Sequence, residues 1–221
     1  MMMSWPLLDR PITWDEESVP LLVVENPKAL RRLLETMQGE ACSGDGDVVF
    51  SDGIKPFDAA KAVELITDPL SLDFSAKQLA TKLTQAAMET GEDFSERLYE
   101  ITTMLNDVAS QIALNMDYDV TFSELDNFTE LLKMMKFHPD AEDLPLHERL
   151  MEYMRLSRGL LGKKVFVVYG LFELLGAEEF DYLLAEVTGR KFNVLLVEAH
   201  QPEPTEHVQT VIVDKDLCIL R

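Results

Sequence analysis

Strand-sized apolar runs gather at the two ends of this sequence, and a long helical pattern separates them. Near the start, Pro20–Glu25 is a Val/Leu-rich run that reads as a buried strand. Asn26 and Pro27 follow as a helix start, because asparagine caps and proline has no N–H to lose at the first helical position. That helix should reach about Gln38, with Leu30, Leu33, Leu34 and Met37 inward and Lys28, Arg31, Arg32 and Glu35 outward. Gly39–Asp47 reads as a loop, Val48–Ser51 as a short strand and Pro56–Ile66 as a second helix. Near the other end, strand Lys164–Tyr169, helix Gly176–Thr188 and strand Phe192–Val197 make a parallel βαβ unit. Val208–Val213 and Leu217–Leu220 form a hairpin across Asp214-Lys215-Asp216.

The middle is helical. Ser75 is a candidate cap for a pattern that runs to Asn115, broken at Thr90–Asp93. Phe94, Leu98, Ile101, Leu105, Val108 and Ile112 alternate spacings of four and three, a heptad-like seam. It is too short for a free coiled coil, so the expected partner is Ala76–Met88 in a helical hairpin. Ser123, with Asp126 three residues on, marks a further helix start, followed by Leu125, Phe128, Leu131, Leu132 and Met135 on one side. Pro139 and Pro145 bracket an acidic loop before a helix at Leu146–Leu161. The expected fold class is therefore α/β. Residues 1–70 and 147–221 make one discontinuous α/β head, and residues 71–146 an all-helical insertion, or leg.

Composition narrows the function classes. The 221 residues carry 40 acids and 20 bases, a formal charge of −20. Affinity for a duplex comes largely from Lys and Arg, so this argues at first against nucleic acid. The charge is segregated, however. Residues 86–130 hold eleven acids and one base, whereas residues 131–164 hold seven bases and five acids. No apolar run is long enough to span a bilayer. Pro6, Asp9 and Arg10 interrupt the N-terminus where a signal peptide needs an apolar stretch. Cys42 and Cys218 can form neither a disulfide framework nor a zinc site. A reduced, cytoplasmic protein without a membrane partner is expected.

Catalytic motifs are missing. Gly162-Lys163-Lys164-Val165 is the nearest approach to a Walker A loop, but Ser157 and Val165 stand where Gly and Ser/Thr belong, and it precedes a strand. No functional P-loop is expected, and no nucleophile elbow is present. His138, His147, His200 and His207 read as lone surface imidazoles. Glu25 and Glu198 end apolar strands and read as acids in water. The chain is expected not to be an enzyme.

Two residue sets remain. Asp117, Asp119, Glu124, Asp126 and Glu130 could supply oxygen ligands to calcium at a helix junction. They form no EF-hand, since Phe122 and Phe128 replace the required Gly and Glu. Acids in a first helical turn also stabilise the helix dipole, which explains them without a metal. Lys133 and Lys136 share a helix face, and Arg155 and Arg158 repeat the spacing on the next helix. Such faces could track a phosphate backbone if copies were arranged around a common ligand.

The order of pieces resembles the Csn-two family of type II-A CRISPR-associated proteins, which act in spacer acquisition. Ser4-Trp5-Pro6-Leu7-Leu8-Asp9-Arg10-Pro11-Ile12 is similar to the family's N-terminal pattern, and Leu65–Asp73 to its stretch before the helical part. Val165–Val168 and Asn193–Glu198 match its paired C-terminal strands. The resemblance implies a homotetrameric ring that takes double-stranded DNA by its ends through a basic central hole, stabilised by Ca2+. It further implies contact with other CRISPR adaptation proteins and the type II effector nuclease, and no enzymatic activity. It carries Glu130 over as a metal ligand and Lys133 as a DNA contact. The competing reading of the charge is an acidic DNA mimic or interaction protein that occupies a partner's nucleic-acid site.

Overall fold

The computed structural model describes all residues except 16, 39–46 and 142, so most of the loop expected at Gly39–Asp47 lies outside the described residues. The chain divides into two compact units: Met1–Leu72 together with Ala141–Arg221, and Asp73–Asp140. The fold class is α/β.

The first unit is built on a six-stranded sheet. Its strands are β3 (Val19–Val24), β6 (Val63–Ile66), β7 (Val165–Tyr169), β8 (Asn193–Glu198), β9 (Val208–Val213) and β10 (Ile219–Leu220), in the order β10-β9-β3-β8-β7-β6. All neighbours are parallel except β10 against β9. A parallel sheet needs cover on both faces, which is why β3 is buried at all six positions. Successive residues of β3 serve opposite cores. Leu22 and Val24 pack with Ala29, Leu30, Leu33 and Met37 of α1 (Pro27–Gln38). Leu21 and Val23 pack with Leu150 and Met154 of α6 (Leu146–Leu161) and with Phe180, Leu183 and Val187 of α7 (Ala177–Gly189). Each fully buried Leu adds on the order of 1.5–3 kcal/mol to this arrangement.

A second, antiparallel sheet joins the α1 side. It comprises β1 (Met2–Ser4), β2 (Ile12–Thr13), β4 (Val49–Asp52) and β5 (Lys55–Pro56), in the order β2-β1-β4-β5. Gly53 makes the β4–β5 turn at φ 59°, a backbone conformation in which side chains are strained.

One predicted helix is overturned. Within 56–66 only α2 (Ala59–Ala62) is helical, capped by the Asp58 carboxylate accepting from the Ala60 N–H at 3.1 Å. The chain then enters β6, which pairs with β7 from Val63↔Val165 to Ile66↔Val168. Ala59, Ala62, Val63 and Ile66 have a helical spacing, but edge pairing to β7 and the β-branched Val63 and Ile66 decide for strand.

The second unit holds α3 (Lys77–Gly91), a 3-10 turn at Glu92–Phe94, α4 (Ser95–Leu114) and α5 (Phe128–Met135). Ser75 does not cap α3: Ala76 holds the cap position without a side-chain bond. The Ser75 hydroxyl instead donates to Asp73 Oδ1 at 2.6 Å. The helix expected to start at Ser123 begins at Phe128, capped by Asn127, whose Oδ1 accepts from the Thr129 N–H at 2.9 Å. Helix α5 packs against both α3 and α4. Gly91 allows this approach, since a Cβ there would lie 2.9 Å from Leu132 Cδ1 and 3.4 Å from Phe128 Cε2.

The heptad-like seam does not close a hairpin with α3. Phe94, Ile101, Leu105, Val108 and Ile112 stand 42–58% exposed, and only Leu98 is half-buried. The side of α4 that turns inward carries Thr102, which is 4% exposed, and Asn106. Polar groups hold that side, leaving the apolar stripe to solvent within one chain.

Candidate functional site

The acidic stretch before α5 is held in place by one side chain. Asn106 Nδ2 donates to the Leu125 carbonyl at 3.2 Å, and Asn106 Oδ1 accepts from the Leu125 N–H at 2.9 Å. An amide that satisfies both backbone groups of a loop residue replaces a rung of regular structure. Asp117, Asp119, Glu124 and Asp126 lie in this connection between α4 and α5, all exposed. Glu124 and Asp126 therefore precede the helix on which the sequence pattern put them. Glu130 alone is helical, in the first turn of α5, where a carboxylate meets the positive end of the dipole. Among the described residues, no group of three or more His, Cys, Asp and Glu side chains is placed to hold a metal ion.

Lys133 occupies the last turn of α5, and Lys136 is its C-cap in the left-handed conformation at φ 50°. Lys136 has left the helix, so the two do not form the regular helical pair expected from their spacing. Both ammonium groups are exposed, beside the exposed Met134, Met135 and Phe137.

Arg155 and Arg158 project from α6 in the other unit, and both have partners. Arg155 donates to Glu152 Oε1 at 2.8 Å, and this bond raises its proton affinity further. Arg158 lies 3.7 Å from the centre of the Phe192 ring and donates to the carbonyls of Arg190 at 3.1 Å and Lys191 at 3.4 Å. Its guanidinium fastens the turn between α7 and β8, where Lys191 holds φ 54°. That is an architectural duty.

Among the described residues, the turn from β3 to α1 is short and its first-turn N–H groups already have a partner. Only Glu25 and Asn26 separate β3 from α1, and Asn26 Oδ1 already accepts from the first-turn N–H groups of Lys28 and Ala29, each at 3.1 Å. Lys163, from the sequence nearest to a Walker A loop, donates to the Val63 carbonyl at 2.8 Å and lies 3.0 Å from Glu64 Oε2. Both bonds fix it to the edge strand β6.

Two sequence readings of single residues need correction. Glu198 is 6% exposed, and its Oε1 accepts from the backbone N–H groups of Leu171 at 2.8 Å and Phe172 at 3.1 Å. Burial lifts its carboxyl above the usual glutamate range, against those two bonds and with help from Glu173. His147 is not a surface imidazole either: its side chain is 12% exposed, 3.6 Å from Glu179 Oε1 and edge-on to Tyr182. In sequence, Glu198 looks like the polar stop of Val194–Val197. Nothing local announces the β7–α7 loop that folds over it.

Comparisons with known proteins bear on identity. No curated protein matches the sequence. Among solved structures, cbiO1 from Clostridium perfringens, part of the ABC transporter complex cbiONQ, is 10% identical, with TM-score 0.46 over 87% of this chain and 70% of that one. The ATP-binding cassette MJ1267 of an ABC transporter is 14% identical, with TM-score 0.41 over 91% and 80%. At these scores neither likeness bears on function. The model of the family described as CRISPR-associated protein (Cas_Csn2) matches residues 42–217. That match covers most of both units, and the chain belongs to the Cas_Csn2 family of CRISPR-associated proteins.

Proposed function

We propose that this protein is a non-enzymatic component of CRISPR adaptation that forms a homotetrameric ring and binds the ends of double-stranded DNA through its central hole. One observation carries the reading: the apolar stripe Ile101, Leu105, Val108 and Ile112 on α4, joined by Met104 at 68% exposure. Monomers rarely leave a contiguous apolar surface of this kind in water. A second copy of the same helix is its natural occupant, because heptad-like spacing is what two helices need to interlock.

Phosphate contact falls to Lys133 and Lys136, which stand free of ion pairs among the described residues. Remote acids are screened over about 8 Å at physiological salt, so a local basic lining can hold a duplex despite the charge of −20. Affinity should fall steeply with salt. Calcium belongs to the same reading as a ligand shared between copies, with Asp117, Asp119, Glu124, Asp126 and Glu130 as its candidate carboxylates, all exposed. A thermal melt with calcium and with chelator tests this; an unchanged midpoint removes calcium from the reading.

Sedimentation of the intact chain tests the assembly. A tetramer that dissociates when Leu105 and Ile112 are replaced by Glu supports the ring. A wild-type monomer at micromolar concentration would instead favour the acidic DNA mimic that the net charge suggests.

A further inference from the structure

A cleft of about 670 Å3 opens in the first unit at the carboxyl edge of the six-stranded sheet, beyond the ends of β6, β7 and β8. Ligands of open α/β sheets bind at this edge, and small-molecule sites occupy roughly 300–1,000 Å3. The cleft is therefore in the right place and of the right size for a small ligand. Its occupant must answer to the lining.

One wall is apolar: the rings of Phe172 and Phe180 meet at a 40° tilt with 4.2 Å between centres. Five acids share the lining, Asp68, Glu173, Asp181 and Glu203 around Glu198, among apolar and neutral residues such as Leu70, Leu174 and Gln201. One imidazole, His200, lines it, but no Lys or Arg does among the described residues. Exposed acids alone would be an ordinary solvated surface. Glu198 is different, because it is 6% exposed and held rigidly by two backbone N–H groups on Oε1. Those bonds orient the carboxylate without neutralising it. Its Oε2 takes no hydrogen bond from the described residues, and the side chain lines the cleft. Glu173 is near enough to repel it, which makes an unneutralised pair of carboxylates in one cavity.

The lining excludes most ligand classes. Phosphates and carboxylates would meet five acids. A divalent ion would need several convergent oxygens, and no such group exists among the described residues. A neutral apolar molecule would leave Glu198 without a counter-charge. An organic cation satisfies both halves, since its charge meets Glu198 and its stem meets the aromatic wall.

We propose that this cleft binds a guanidinium or ammonium group carried on a short apolar stem, with Glu198 as its anionic partner and Phe172 and Phe180 against the stem. The group can come from a free alkylguanidine or from an arginine side chain of a protein, and the two sources are separable.

Calorimetry on the full-length protein would use agmatine, N-acetyl-arginine methylamide and the near-isosteric, uncharged N-acetyl-citrulline methylamide. Saturable binding is expected for a guanidinium probe and none for citrulline. Binding of the capped arginine alone assigns the group to a protein side chain, and binding of agmatine assigns it to a free cation. Glu198→Gln should lower the affinity by about tenfold or more, and Glu173→Gln by less. Glu96→Gln on α4 should change nothing. Should Glu198→Gln fail to fold, the loss in Glu173→Gln carries the test. Equal binding of arginine and citrulline probes, affinity unchanged in a folded Glu198→Gln protein, or no binding up to about 10 mM, weaker than about 3 kcal/mol of binding, would overturn the proposal.

Discussion

Asn106 grips Leu125 by both ends of its amide, at 3.2 Å to the carbonyl and 2.9 Å from the N–H. The two lie nineteen positions apart in sequence, so one side chain ties the connection between α4 and α5 back to α4. Asn106→Leu removes both bonds and leaves a half-buried backbone pair unsatisfied. A loss of about 1–3 kcal/mol is expected in urea unfolding of the helical unit. Asn106→Asp retains the acceptor and should lose less. Equal stability of all three proteins would show that the loop is held elsewhere.

Gly91 separates size from backbone effects. A Cβ at this position comes nearest the flexible tip of Leu132 at 2.9 Å, with Phe128 Cε2 in ordinary contact at 3.4 Å, and the residue is helical. Gly91→Ala gains about 1 kcal/mol of helix propensity, which should roughly offset that contact. Gly91→Val adds a branched side chain against Leu132 and Phe128 and should destabilise by about 1–3 kcal/mol. Pairing Gly91→Val with Leu132→Ala should lose less than the two single effects combined, which a double-mutant cycle would read.

Glu198 gives a pH signature. Its folded carboxyl holds a proton more tightly than the usual glutamate value of 4.5, because burial disfavours the anion. The native state therefore binds the proton better than the unfolded chain. That contribution is fully present below about pH 4.5 and is lost as pH rises through the folded value. Glutamine can accept from the Leu171 and Phe172 N–H groups without a charge. Glu198→Gln should melt higher than wild type at pH 8, and the gap should close below pH 4.5. A gap independent of pH would refute burial as the cause.

The four bases nominated from sequence should part into two behaviours. Lys133→Ala with Lys136→Ala should weaken DNA binding and reduce its salt dependence, with the melting temperature nearly unchanged. Arg158→Ala should lower the melting temperature, because the Phe192 stack and two carbonyl bonds are lost together. A mobility shift and a thermal melt on both variants separate the two. Equal loss of DNA binding in both would place Arg158 at the interface after all.

Much of the α/β architecture was legible because its strands are two-sided. A run such as Val19–Val24, apolar at every position, can only be central in a covered sheet, and Asn26-Pro27 marks its helix without ambiguity. The segment 56–66 is ambiguous in sequence, because four apolar residues at helical spacing also fit a short helix joined to an edge strand. β1 and β2, at three and two residues, are too short to show any period. The α4 seam was legible as a stripe, but its lack of a partner within one chain was not. Periodicity reports that a face is apolar and is silent on what covers it. For the candidate site, the exposure of Lys133 and Lys136 follows from their place at the end of a short helix, whereas the engagement of Arg158 depends on Phe192, 34 positions away in sequence. Contacts of that range leave no local trace.

The most direct measurement is a mobility shift with linear and covalently closed circular duplexes of equal length, at low salt, with calcium and with chelator. A ring that takes DNA from its ends will shift the linear duplex and leave the closed circle unshifted. Equal shifts of both forms, or no shift of either, would contradict it.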